Sequence, residues 1–172
     1  MVFVVTGTGK AFPRLLEALR VLEKEPNIEL FVQRGAAGPS FRDLPGEDFI
    51  SREEFARRLL WADVVVCHGG SGALYEAYMA GHTPIVVPRL ARFGEHVNDH
   101  QIELASTLAN ANKAVLCDDL SRLRELVLSA KRRGPRITVR PELVQAVREE
   151  LLAPSGNTIL ARVRSMLSKK RQ

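Results

Sequence analysis

At 172 residues, 45% hydrophobic and 26% charged, the chain has enough apolar side chain for one substantial core and too little length for two. No run approaches the roughly 18 apolar residues a bilayer span requires, and the apolar start at Met1 is short and lacks the basic leader and cleavage site of a secretory signal. The net charge of +5 is unevenly placed: beyond position 130 there are eleven Lys/Arg against three Asp/Glu, so the basic character belongs to the tail, which has none of the aromatic interleaving of a nucleic-acid surface.

Apolar runs of strand length recur along the chain and predict strands at residues 2–6, 28–33, 63–68, 84–88 and 113–117. Between the first two, Leu15, Leu16, Leu19 and Leu22 fall at helical spacing within residues 12–24. Residues 34–48 are rich in Gly and Pro and read as a loop, followed by a short extended piece at Phe49 and Ile50. Ser51, with Glu54 three positions on, has the capping-box pattern that opens the next helix, whose apolar stripe is Phe55, Leu59 and Leu60. Ile102, Leu104, Ala105 and Leu108 mark another helix. Near-continuous apolar strands alternating with helices predict an α/β fold, a Rossmann-like parallel sheet covered by helices on both faces. Cys67 and Cys117 end apolar runs and have no CxxC partner, which suits buried thiols in a reducing cytoplasm.

The composition changes after Ala130, giving a predicted division into a domain over residues 1–130 and a tail over 131–172. Residues 131–136 form a basic linker. Pro141 opens a helix to about Leu152, and Ile159, Leu160, Val163, Met166 and Leu167 stripe an amphipathic helix over residues 158–169. That helix suits either docking to a partner, with its basic end near anionic lipid, or packing onto its own domain.

The strongest local feature is His68, Gly69, Gly70, Ser71, Gly72 and Ala73, directly after a buried strand and before a helix. Small residues there let a ligand reach the backbone, and the free amides of a helix N-terminus suit phosphate; a tight turn is the plainer alternative. The pattern is neither a Walker loop, since no Gly-Lys-Ser/Thr follows, nor a dinucleotide fingerprint after the first strand. Glu76 lies eight residues after His68, where a carboxylate can accept from two adjacent hydroxyls. After the strand at 84–88 comes a loop carrying Gly94, Glu95, His96, Asn98, Asp99, His100 and Gln101. Asp99 and Gln101 suit either sugar hydroxyls or helix capping.

The segment from His68 to Gln101 resembles the donor-binding signature of the C-terminal half of two-domain, GT-B type UDP-sugar glycosyltransferases, glycosyltransferase family 28. There a His-x-Gly is followed by small polar residues, a Glu eight residues on, a Gly, a Pro-bounded strand and Asp-Gln; here these are His68, Gly70, Ser71, Glu76, Gly81, Pro84 to Pro88, Asp99 and Gln101. The upstream segments 48–51 and 60–67 are similar to the peptidoglycan GlcNAc transferase of that family. The resemblance implies that Phe49 and Ile50 read the uracil, that Gly7, Thr8 and Gly9 lie against the donor phosphates, and that His68, Gly69, Gly70, Ser71 and Gly72 bind the diphosphate. It places Glu76 on the ribose and Asp99 and Gln101 on the sugar. With Met1 opening on the first strand, the chain is similar to the small subunits of split transferases (the dolichol-linked GlcNAc transferase and bacterial exopolysaccharide enzymes), which implies a membrane-anchored partner that supplies the acceptor half. An extra residue in Gly81-His82-Thr83-Pro84 departs from the Gly-x-Pro of many relatives and leaves the sugar open.

The activity implied is inverting transfer from a UDP-sugar to a lipid-linked or polysaccharide acceptor, in the cytoplasm or at the inner face of the membrane through the partner. No Asp-x-Asp motif is present, so no obligatory metal and no cofactor beyond the UDP-sugar co-substrate is expected. His96 and His100 are the local candidates for a general base, although the partner is the expected source. A UDP-sugar epimerase-like enzyme and a non-catalytic nucleotide-sugar binding module are the competing readings.

Overall fold

A computed structural model describes residues 1–130 of the chain; the tail helices expected over residues 141–152 and 158–169 lie outside the described residues. In chain order the elements are β1 (Val2–Val5), α1 (Pro13–Glu23), β2 (Leu30–Gln33), β3 (Gly46–Glu47), α2 (Arg52–Trp61), β4 (Val64–His68), α3 (Ser71–Met79), β5 (Ile85–Val87), α4 (His100–Asn110), β6 (Val115–Leu116) and α5 (Leu123–Ser129), with short 3₁₀ turns at Pro39–Phe41, Ala91–Phe93 and Leu120–Arg122. The strands form one sheet in the order β3-β2-β1-β4-β5-β6, and every pairing is parallel.

Both faces of this sheet are dry, which is why its strands carry no polar alternation. Val2, Val4, Leu30, Val32, Val66, Ile85 and Val87 pack with the α1 leucines and with Leu123 and Val127 of α5. Phe3, Val5, Val65, Cys67 and Val86 pack on the other side with Leu59 of α2, Leu74 and Ala77 of α3 and Ala105 of α4. The α1 stripe read from the sequence is the buried one: Leu15, Leu16, Leu19 and Leu22 are inaccessible to solvent, and each such leucine contributes roughly 1.5–3 kcal/mol. Both thiols are buried, and burial pushes Cys67 up to about 12 and Cys117 up to about 11, so neither is a thiolate at neutral pH.

The predicted extended piece at Phe49 and Ile50 is displaced. The strand is Gly46–Glu47, paired to Val32 and Gln33 of β2; Phe49 follows it in a bend and Ile50 in irregular backbone. Hydropathy pointed to the wrong pair because this edge strand is held by backbone: Val32 N–H donates to Pro45 O and Arg34 N–H to Glu47 O, both at 2.8 Å. Gly46 adopts φ +135°, and a methyl there would meet Val32 O at 2.1 Å. Ile50 packs against the second core, while Phe49 remains 55% exposed.

The expected cap of α2 is present, since Ser51 Oγ accepts from Glu54 N–H at 3.1 Å. The Glu54 carboxylate pairs with Arg58 and Arg57 in its own helix instead of closing the reciprocal half of the box. Ser51→Ala is expected to lower stability by about 1 kcal/mol. Urea denaturation checks this; a change of less than a few tenths would contradict the cap assignment.

Candidate functional site

Strand order locates the site. β1 continues through α1 to β2 on one side, and β4 continues through α3 to β5 on the other, so α1 and α3 leave adjacent strands toward opposite faces. A crevice opens at the carboxyl ends of such a pair, where an open α/β sheet binds its ligands. The structure brings Gly7, Thr8 and Gly9 after β1 together with His68, Gly69 and Gly70 at the end of β4.

His68 joins the two turns. Its Nε2 would lie 2.8 Å from a methyl on Gly7 and 2.2 Å from one on Gly70, so the imidazole occupies space that any side chain at either glycine would need. Gly7 also adopts φ +90°, a conformation L-residues rarely take. His68 Nδ1 is buried without a hydrogen-bond partner. Burial and then the nearby Arg89 cation push the imidazole down to about 4, with the Val5 backbone opposing only in part. His68 is therefore neutral at physiological pH and offers hydrogen-bonding nitrogens, not charge.

The helix after this turn is open at its start. Gly70 is the N-cap of α3, has no side chain to cap it, and no acidic residue lies in the first turn. The first amides of α3 are thus donors at the positive end of a helix. A methyl on Gly72 would meet nothing within 4 Å, so this position borders open space. Glu76 lies farther along α3 with its carboxylate partly exposed and 3.9 Å from Arg52 Nη2 at the start of α2. Phe49 and Ile50 come just before α2, whose first residue, Arg52, makes this contact.

The residues of the β5 loop are divided in their roles. Gln101 is 4% exposed, and its Oε1 accepts from Gly69 N–H at 3.2 Å and Arg89 N–H at 3.0 Å. Its carbonyl ties the turn after β4 to the loop after β5, leaving the amide NH₂ as the end that a ligand could use. Asp99 sits at the N-cap position of α4 but makes no side-chain cap bond; Oδ1 instead accepts from Ala91 N–H at 2.8 Å. His96 and His100 meet edge to face with centroids 4.6 Å apart, and His100 also pairs with Asn98. Burial and then His96 hold His100 below the usual histidine range.

Two buried charged residues beside the site, Arg89 and Glu95, have no role assigned from the sequence, although Glu95 belongs to the polar loop singled out there. Arg89 is 3% and Glu95 4% exposed. Glu95 takes a two-pronged contact from Arg14, Nε to Oε1 and Nη2 to Oε2, both 2.9 Å, and accepts from Leu90 N–H. Arg89 donates to backbone carbonyls of both loops. The available signal was position: a charged residue directly after a buried strand, at the sheet edge where ligands bind. Beside this cluster Lys10, Pro13, Arg14, Phe93, Gly94 and Glu95 line a depression of about 550 Å³. No helix among the described residues is long and apolar enough to cross a membrane.

Fold and crevice together define a Rossmann-like α/β domain with a ligand crevice at its topological switch point. The solved structure of the glycotransferase of kitacinnamycin shares the fold, with a TM-score of 0.57 at 21% identity, covering 97% of this chain and 43% of that one. Residues 1–140 match the glycosyltransferase family 28 C-terminal domain, and the chain belongs to that family. It is 32% identical over 124 residues to the UDP-N-acetylglucosamine–N-acetylmuramyl-(pentapeptide) pyrophosphoryl-undecaprenol N-acetylglucosamine transferase of Xanthomonas axonopodis pv. citri, covering 64% of this chain and 28% of that protein. The enzyme of the same description from Bdellovibrio bacteriovorus is 29% identical over 111 residues, covering 63% and 29%. The chain thus spans under a third of the length of these relatives.

The neutral His68 has a consequence for stability. Its folded value of about 4 lies below the usual 6.5, so between these pH values the unfolded chain binds a proton that the folded chain refuses. Stability is full above pH 6.5 and falls as pH drops toward 4, by roughly 2 kcal/mol at pH 5. Denaturation at pH 7 and pH 5 is expected to show this loss, and His68→Gln to remove that part of the pH dependence. An unchanged slope in the variant would contradict the buried, neutral imidazole.

Proposed function

We propose that this chain is the donor-binding half of an inverting, metal-independent glycosyltransferase that uses a UDP-sugar, with the acceptor half supplied by a partner. The observation that carries this reading is the convergence of an uncapped helix N-terminus, a glycine turn and a neutral histidine at the switch point of the sheet. Family membership over residues 1–140 supports it independently.

In this reading the uracil lies by Phe49 and Ile50 and the ribose by Glu76. The diphosphate is received between Gly7, Thr8 and Gly9 on one side and His68, Gly69, Gly70, Ser71 and Gly72 on the other. The sugar extends toward Gln101 and Asp99. The acceptor hydroxyl attacks the anomeric carbon from the face opposite the diphosphate, the bond from that carbon to the diphosphate oxygen breaks, and its electron pair leaves with UDP. Charge gathers on the departing diphosphate, where the fixed N–H groups of α3 stabilise it without reorganisation. The hydroxyl proton goes to a base, assigned here to the acceptor half; His96 and His100 are the candidates on this chain. The acceptor is lipid-linked or a polysaccharide, and the partner would hold the complex at the inner face of the membrane.

Calorimetry with a panel of UDP-sugars tests the reading. Glu76→Ala is expected to weaken binding by about 1.5–3 kcal/mol through loss of a charged acceptor, and unchanged affinity would remove Glu76 from the ribose. A matched glycine pair gives a second test. Gly72→Ala, with open space at its Cβ and a helical position that favours alanine, should keep or raise the melting temperature while weakening UDP binding. Gly70→Ala, which meets His68 Nε2, should lower stability. Full affinity in folded Gly72→Ala would place the diphosphate elsewhere.

A further inference from the structure

The turn after β1 is held from outside itself. Thr8 and Gly9 are exposed, a methyl on Gly9 would touch nothing within 4 Å, and among the described residues no amide of Gly7, Thr8 or Gly9 donates to another backbone group. Thr6 anchors the start of the turn through Gln33 O and Gly7 O, and one side chain from the far loop grips both of its ends. Arg89 Nη2 donates to Thr6 O and Lys10 O, both at 2.6 Å, bracketing the turn at its two ends. Arg89 Nη1 donates to Ala11 O at 3.1 Å and Glu95 O at 3.2 Å. The guanidinium also lies 4.8 Å from the centroid of the Phe12 ring.

Two physical consequences follow. A trans peptide directs C=O and N–H oppositely, so drawing the Thr6 and Lys10 carbonyls onto Arg89 turns the Gly7 and Ala11 N–H groups away from it. Second, all four partners are neutral carbonyls, while the nearby Glu95 carboxylate is taken by Arg14. The cluster of two arginines and one glutamate therefore leaves a positive charge buried beneath the turn, without a carboxylate of its own.

We propose that Arg89 is a positioning residue that fixes the turn after β1 in the shape that receives the donor diphosphate and lends it a buried positive charge, without touching the nucleotide. This rests on the UDP-sugar reading above. Lysine keeps the charge but not the planar fork that spans four carbonyls, and methionine removes both, so the two substitutions separate the contributions.

The test uses the full chain as wild type, Arg89→Lys and Arg89→Met, with UDP and uridine affinities from calorimetry and amide hydrogen exchange by NMR. Arg89→Met is expected to lose roughly 10-fold or more in UDP affinity beyond any loss for uridine, as befits hydrogen bonds to a charged group, with Arg89→Lys intermediate. Exchange at the Thr6 amide, which donates to Gln33 O at the start of the turn, should rise in both variants while Val65 and Val66 amides stay protected. Equal losses for UDP and uridine, or unaltered exchange in the turn, would overturn the proposal, since a merely structural arginine would lower stability without changing the ratio. If Arg89→Met fails to fold, Arg89→Lys decides alone: an unchanged UDP-to-uridine ratio refutes the role. Wild type that binds neither ligand refutes the donor reading and the diphosphate role with it, and the exchange data then report separately on whether Arg89 holds the turn.

Discussion

The candidate site follows from one topological constraint. β1 and β4 are neighbours, but the chain leaves them toward opposite faces of the sheet, so no crossover helix covers the gap above their carboxyl ends. Backbone amides would be exposed there, and a ligand or water must satisfy them. The sequence responds by placing glycines at the two positions nearest the gap and a single imidazole between them. Because the His68 ring fills the space that Cβ atoms would take at Gly7 and Gly70, the turns approach each other without closing the crevice.

Electrostatics around that crevice are built from neutral donors and one buried cation. His68 is neutral because the environment that fixes it, apolar and beside Arg89, disfavours a second positive charge. The uncapped start of α3 adds fixed N–H dipoles. Such an arrangement favours an anion with little rearrangement, and its low cost comes from preorganisation: the donors are already held by the fold. Gln101 and Arg89 extend the same logic, since each spends its polar groups on loop backbone and so converts flexible segments into fixed walls.

Much of this was legible in the sequence. The parallel sheet declared itself through strands with no polar alternation, and the α1 leucines and the Ser51 cap fell where spacing placed them. The turn at His68 was visible as glycines between a buried strand and a helix, a pattern that a plain tight turn gives as well. β3 was misplaced because Gly46 and Glu47 carry no hydropathy signal; their pairing is purely backbone, and the apolar Phe49 and Ile50 beside them drew the assignment. The Arg89 and Glu95 cluster was hidden for another reason. Its partners, Thr6, Lys10, Ala11 and Arg14, lie about eighty positions away in the chain, and no local pattern reports a carbonyl as an arginine's partner. Gln101 suited either sugar hydroxyls or helix capping by its residue type, and its Oε1 does neither, since it accepts from the Gly69 and Arg89 amides of two loops.

The proposed donor site puts a uridine diphosphate between the turns after β1 and β4. Backbone amide shifts recorded as UDP is titrated into the labelled chain would reveal that placement residue by residue. The largest changes are expected at Gly7, Thr8, Gly9, Gly69, Gly70, Ser71 and Gly72, with a second group near Ile50 and Glu76. Changes centred on another surface, with these amides still, would contradict that placement.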